Sequence, residues 1–160
     1  MAVICTSVCV NYTPKEMYDL VNDVQSYPSY LPLCTHVKLH SKTSDSLKAT
    51  ITLSKGKIKF SFTTENSMVE SKQIRMNLVE GPFKHLRGQW RFEPIATGGC
   101  EATFRLDFEF ANALLGMAFG GFFKEVTESF VEAFCKQAAK KYGERPSHPP
   151  EAVVGQGTLT

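Results

Sequence analysis

Between residues 35 and 110 the chain alternates apolar and polar side chains with a period of two. That period belongs to extended strands, where successive side chains point to opposite faces. Leu47, Ala49, Ile51 and Leu53 share one face, and Lys48, Thr50 and Thr52 the other. Ile58, Phe60 and Phe62 then alternate with Lys57, Lys59 and Ser61, and Ile74, Met76 and Leu78 with Arg75 and Asn77. Leu86, Gly88, Trp90 and Phe92 stand against Arg87, Gln89 and Arg91. The last row, Ala102, Phe104, Leu106, Phe108 and Phe110, stands against Arg105, Asp107 and Glu109. Lys55-Gly56 and Thr97-Gly98-Gly99 are turn signals between runs. Successive hairpins with one dry and one wet face make an antiparallel meander.

A sheet with one apolar face must have that face covered. The only other long element follows Asn112, a suitable N-cap. Leu115, Phe119, Phe122, Val126, Phe130 and Phe134 trace one helical stripe, Phe123 lies beside it, and Gly143 is a natural stop. Before the meander, residues 3–10 read as a strand. Thr13-Pro14-Lys15-Glu16 reads as a capping box with proline at the first helical position. Met17, Leu20, Val21 and Val24 continue that helix, and Pro28 and Pro32 allow at most a second single-turn helix. The expected class is α+β: a curved antiparallel sheet of about seven strands wrapped on a long C-terminal helix, with two short helices after the first strand. The domain is expected over residues 1–143, and the Pro- and Gly-rich residues 144–160 as a disordered tail.

Charge is nearly balanced, with 18 basic and 16 acidic side chains, so net charge alone predicts no nucleic acid. Cys5, Cys9, Cys34, Cys100 and Cys135 are scattered without a C-x-x-C pair, which suggests neither a disulfide framework nor zinc. A reducing cytosol is the simplest reading. The N-terminus lacks the basic start and apolar core of a signal peptide. No run approaches the roughly 20 apolar residues that span a bilayer. The expected location is cytoplasmic, with any membrane contact peripheral to the inner membrane. His36, His40, His85 and His148 have no metal-ligand grouping, and no G-x-S-x-G, P-loop or dinucleotide fingerprint is present. The inner faces of the strands carry almost no ionisable side chain for acid–base work. No catalytic residue, metal or cofactor is expected.

Three segments, residues 21–34, 77–92 and 106–110 running into the Phe-rich helix, resemble the coenzyme Q-binding START-like family. The first centres on Tyr27-Pro28-Ser29-Tyr30-Leu31-Pro32, the second on Gly81-Pro82-Phe83 and Gly88-Gln89-Trp90. The closest resemblance is to its bacterial branch, the RatA ribosome-association toxins, and it extends to about residue 142 of the sequence. It implies a helix-grip fold with a deep apolar cavity. It further implies ubiquinone or a similar polyisoprenoid as ligand, in support of respiration. For the bacterial branch it implies binding to the large ribosomal subunit and a block of subunit association. The superfamily also includes polyketide cyclases.

Three sites follow. The expected cavity wall is Ile51, Ile58, Phe60, Phe62, Met76, Leu78, Trp90, Phe104, Leu106 and Phe108, with Phe119, Phe122, Val126 and Phe130 from the helix. The same pattern suits a filled core; Ala49, Gly88, Ala102, Gly116 and Gly120 are the small residues that would leave space. Gly88 also suits a bulge. Such a pocket is expected to hold roughly 300–1,000 Å³. Tyr27, Pro28, Tyr30, Leu31, Pro82 and Phe83 are candidates for a gate at its rim, or for core plugs. Lys48, Lys57, Lys59, Arg75, Arg87 and Arg91 fall on the wet face, as a solvated surface or as a surface for RNA or acidic lipid.

Overall fold

The capping box at Thr13 forms as the sequence predicts: the Glu16 N–H donates to Thr13 Oγ1 at 3.1 Å, and the Thr13 N–H to Glu16 Oε1 at 2.9 Å. It starts α1 (Pro14–Asn22), which leads into a 3-10 helix (Val24–Ser29) containing Pro28. These sit between β1 (Ala2–Val10) and the meander β2 (Cys34–Lys42), β3 (Ser46–Lys55), β4 (Ile58–Val69), β5 (Gln73–Glu80), β6 (Phe83–Pro94) and β7 (Cys100–Phe110). The structure is a computed structural model that describes residues 2–96 and 98–145, and the backbone of two short strands, β8 (Val153–Val154) and β9 (Thr158–Leu159).

The sheet order is β2-β3-β4-β5-β6-β7-β1-β8, with β9 also paired to β1, and every pairing is antiparallel. Register shifts in β2, between Thr63 and Thr64, and between Phe83 and His85 bend the strands and increase their twist. The Met76–Gly88–Leu106 register is unbroken, so Gly88 marks no bulge.

The concave face is covered by α2 (Ala113–Glu128) and α3 (Phe130–Tyr142), the two parts of the long C-terminal helix. Asn112 caps it as expected, accepting from the Leu115 N–H at 2.9 Å. The interruption at Ser129 has a local cause. Thr127 Oγ1 donates to the Phe123 carbonyl at 3.0 Å, and Ser129 Oγ to the Val126 carbonyl at 2.7 Å. Hydroxyls that bond back to the preceding turn weaken its ladder and bend a helix. The apolar stripe runs on through the break, with Phe122, Phe123, Val126 and Phe134 buried.

Most of residues 144–160, expected as a disordered tail, lie outside the described residues. At its start, Arg145 pairs with Glu16 at 2.6 Å.

Candidate functional site

The sheet and the C-terminal helix enclose an apolar cavity of about 50 Å³. Ile51, Phe62, Met76, Trp90, Phe104, Leu106 and Phe130 line it, as the alternation places them. Phe60, Leu78, Phe108, Phe119, Phe122 and Val126 do not. Ile58 stands at the β3–β4 hairpin end, 36% exposed, and is no part of an inner wall. Sequence reasoning omitted Thr64, Leu86, Phe123, Thr127 and Phe134, which complete the lining with Tyr27. Leu86 and Phe134 were in the apolar rows; only the two threonines give no signal.

The expected pocket of roughly 300–1,000 Å³ is not formed. About 50 Å³ is room for only a few waters, each needing about 10–15 Å³ on this measure, and is far too little for a quinone ring with its tail. Aromatic rings occupy the difference. Phe60 meets Phe119 at 4.8 Å, Phe83 stacks on Phe110 at 4.6 Å, and Phe108 meets Phe123 edge-on at 4.9 Å. The volume freed by Gly88 is also filled: a Cβ there would lie 2.4 Å from Met76 Cε. Gly116 and Gly120 do leave space, but in an open groove of about 580 Å³ beside Phe110 and Ala111, outside the enclosed cavity.

The hydroxyls of the wall are already engaged. Thr64 Oγ1 donates to Asn66 Oδ1 at 3.0 Å and Thr127 Oγ1 to main-chain carbonyls of α2. Tyr27 is the one ionisable residue in the lining. Burial pushes its pKa well above the usual phenol range, and its hydroxyl donates to the Val21 carbonyl. The wall therefore offers shape and dispersion contacts and little proton chemistry. Among the described residues no group of three His, Cys, Asp or Glu is placed to hold a metal.

The two gate loops do not meet. Tyr27 and Tyr30 pack on Phe134 of α3, at 5.4 and 5.8 Å. Leu31 is buried beside them, while Pro28 and Pro32 are exposed. Phe83 is not a loop residue. It opens β6, is buried, and touches Phe60, Phe62, Phe108, Phe110 and Phe123. Pro82 accepts from the Ala111 N–H at 3.0 Å, which ties this turn to the end of β7. Gly81 has φ +153, and a Cβ there would come 2.7 Å from Phe62 Cβ.

The basic residues divide too. Lys57 lies in the turn between β3 and β4, not on the sheet face where alternation put it, and Lys59 stands near that hairpin end. Lys48 pairs across the sheet with Glu65. Arg75, Arg87 and Arg91 are exposed on the convex face of β5 and β6, where Arg105 of β7 joins them. Alternation had placed Arg105 on this face, but only the strand order shows that it adjoins the others.

At the opposite pole, Leu114 and Met117 in the first turns of α2 are 75% and 84% exposed. No helix of the described residues is long and apolar enough to cross a membrane.

Comparison with known proteins accounts for this arrangement. Residues 10–135 match the family described as polyketide cyclase/dehydrase and lipid transport. The ribosome association toxin RatA of Escherichia coli (strain K12) is 43% identical over 145 residues, 91% of this chain and 92% of that protein. The mitochondrial coenzyme Q-binding protein COQ10 homolog B of Xenopus laevis is 32% identical over 141 residues, 86% of this chain and 58% of that protein. A START superfamily protein from Mycobacterium smegmatis has the same fold at 16% identity, with a TM-score of 0.72 over 88% of this chain and 99% of that one. The antiparallel sheet gripping a long C-terminal helix is the START-like helix-grip fold. The chain thus belongs to the START-like family of polyketide cyclases, dehydrases and lipid transport proteins, in the branch that contains the ribosome association toxin RatA.

Proposed function

We propose that this chain is a binding protein, not an enzyme, and takes a polyisoprenoid quinone or a lipid like it between the concave sheet face and the C-terminal helix. The observation that carries this reading is the cavity wall, which is aromatic and aliphatic and has its hydroxyls tied to protein atoms. An apolar ligand loses nothing by facing such a wall, whereas a polar substrate would leave its own groups unpaired. The name of the Xenopus relative supports the quinone class. In this role the protein shields the quinone from water and supports respiratory electron transport as a carrier. Ligand entry needs α2 to lift, and the break at Ser129 is the place where it can pivot. A cyclase-like activity is disfavoured because Tyr27 alone would have to supply the proton chemistry.

A second reading is association with the large ribosomal subunit, favoured by the name and the 43% identity of the Escherichia coli relative. The two readings use different surfaces and are compatible. The deciding experiment is purification from a quinone-producing host, organic extraction and mass spectrometry. A stoichiometric polyisoprenoid quinone is expected. Protein that elutes empty, and takes up none from quinone-loaded vesicles, overturns the carrier reading. If that empty protein cosediments with large subunits, the second reading replaces the first.

A further inference from the structure

The convex face of β5, β6 and β7 gathers four arginines. Strand register sets Arg75 opposite Gln89 and Gln89 opposite Arg105, and the adjoining row is Asn77, Arg87 and Asp107. Arg91 follows Gln89 on the other side along β6. Neighbouring strands lie about 4.8 Å apart, so these guanidinium groups share a patch on the order of 10–15 Å across. A groove of about 440 Å³ runs between the first two rows, above the backbone of Met76 and Gly88.

These charges are not used internally. Among the described residues Arg75, Arg87 and Arg105 have no carboxylate within ion-pair distance, and Arg91 reaches Glu93 only at 3.9 Å. The one acid lining the groove, Asp107, is paired with His85 Nε2 at 3.2 Å. Glu65 stands at the patch edge, between Lys48 and Asn77 in the register.

We infer that this arginine groove binds the phosphate backbone of folded RNA, an inference that rests on the ribosome-association reading. Arginine presents a planar fork that matches a phosphate with two parallel hydrogen bonds, which lysine does not. Gln89 and Asn77 add neutral donors and acceptors suited to ribose 2′-hydroxyls. No aromatic side chain lines the groove, so stacked single-stranded bases have no platform there. No exposed large apolar side chain lines it either, as insertion into a lipid surface would require. The same strand then serves two ligands: β6 sends Trp90 into the apolar cavity and Arg87 into the outer groove.

The test uses the full-length protein and a fluorescein-labelled RNA duplex of about 16 base pairs, the span of one double-stranded RNA module. Anisotropy is measured across a salt series for the parent, for Arg87→Gln/Arg105→Gln, and for Lys57→Gln/Lys59→Gln at the far hairpin. Binding by the parent is expected to weaken steeply with salt. The arginine pair is expected to lose at least ten-fold in affinity and about two in the log–log salt slope, with unchanged thermal melting. The lysine pair is expected to match the parent. Equal binding by the arginine variant, or capture of the same arginines by phosphatidylglycerol vesicles but not by duplex, overturns the groove assignment. Cosedimentation of the parent with large subunits is scored separately. If the parent cosediments and the arginine variant does so equally, the groove fails and the ribosome reading stands. If the parent does not cosediment, the ribosome reading fails.

Discussion

Glu16 holds both ends of the described domain on one carboxylate. It closes the capping box of α1 and accepts both terminal nitrogens of Arg145 at 2.6 Å. The guanidinium lies over the Tyr12 ring at 4.9 Å, and the Tyr142 hydroxyl donates to the Glu16 carbonyl at 3.1 Å. The hydrogen bonds from Arg145 foremost, and then that from the Thr13 N–H, hold the Glu16 carboxyl at about 2, against an ordinary 4.5. A pKa depressed by folding contributes stability above the unfolded value and loses it as pH falls through the folded one. The clasp therefore acts fully above about pH 4.5 and is lost toward pH 2. Glu16→Gln keeps a capping-box side chain but removes the titration. In thermal melts between pH 6 and 2, the parent should lose more stability than this variant, and the two curves should converge at the acid end. Parallel curves would show that the clasp does not contribute. The capping box was legible because its residues are three apart. Arg145 was not, because it is 129 residues from Glu16 and nothing local marks the pair.

Among the elements, the strands were the most legible and the long helix the least. Period-two alternation located β3 to β7 because each has one dry face, whereas β2, largely exposed on both faces, gave no such row. It mislaid Lys57, since alternation continues on paper through a turn that the chain takes in space. The break at Ser129 was hidden because the apolar stripe crosses it without a change of phase. Phe83 shows why a Gly-Pro-Phe triplet does not by itself make a gate. The turn ends at Pro82, and the ring enters the core with the first residue of β6. Phe83→Ala should therefore cost about 3–5 kcal/mol in urea unfolding, as deletion of a fully enclosed ring does. Phe119→Ala, on a half-buried ring, should cost less. A cost below about 1 kcal/mol at Phe83, together with changed lipid uptake, would restore the gate role. Gly88→Ala tests the neighbouring packing. The added methyl must drive the Met76 tip off its site toward the cavity that Met76 lines, so lipid uptake should fall more than stability. Equal binding by this variant would show that the cavity opens well beyond Met76.

At the scale of the molecule, side-chain volume decides what pattern cannot. Alternation says which face is dry; it does not say how twelve phenylalanines divide the space behind it. They leave about 50 Å³, so a lipid-bound state must differ from this one. The C-terminal helix is unevenly held: Phe122, Phe123 and Val126 anchor the second half of α2, and its first turns are the loose end. Phe134 and Ala138 of α3 are buried, and the Glu16–Arg145 clasp closes just beyond its end. The first turns of α2 carry exposed Leu114 and Met117, and Lys55–Glu125 at 3.1 Å is an exposed tie. A segment with a thin buried face opens at lower free energy than one packed on all sides. Hydrogen exchange read by mass spectrometry should therefore show residues 113–121 exchanging well before residues 122–142 and the strands β6 and β7. A short-chain ubiquinone should slow the first segment selectively, because the ligand fills the space that α2 uncovers. Exchange of both segments in step, unchanged by quinone, would mean that the helix moves as one body and that ligand enters elsewhere. The open groove beside Gly116 and Gly120 would then be the place to look.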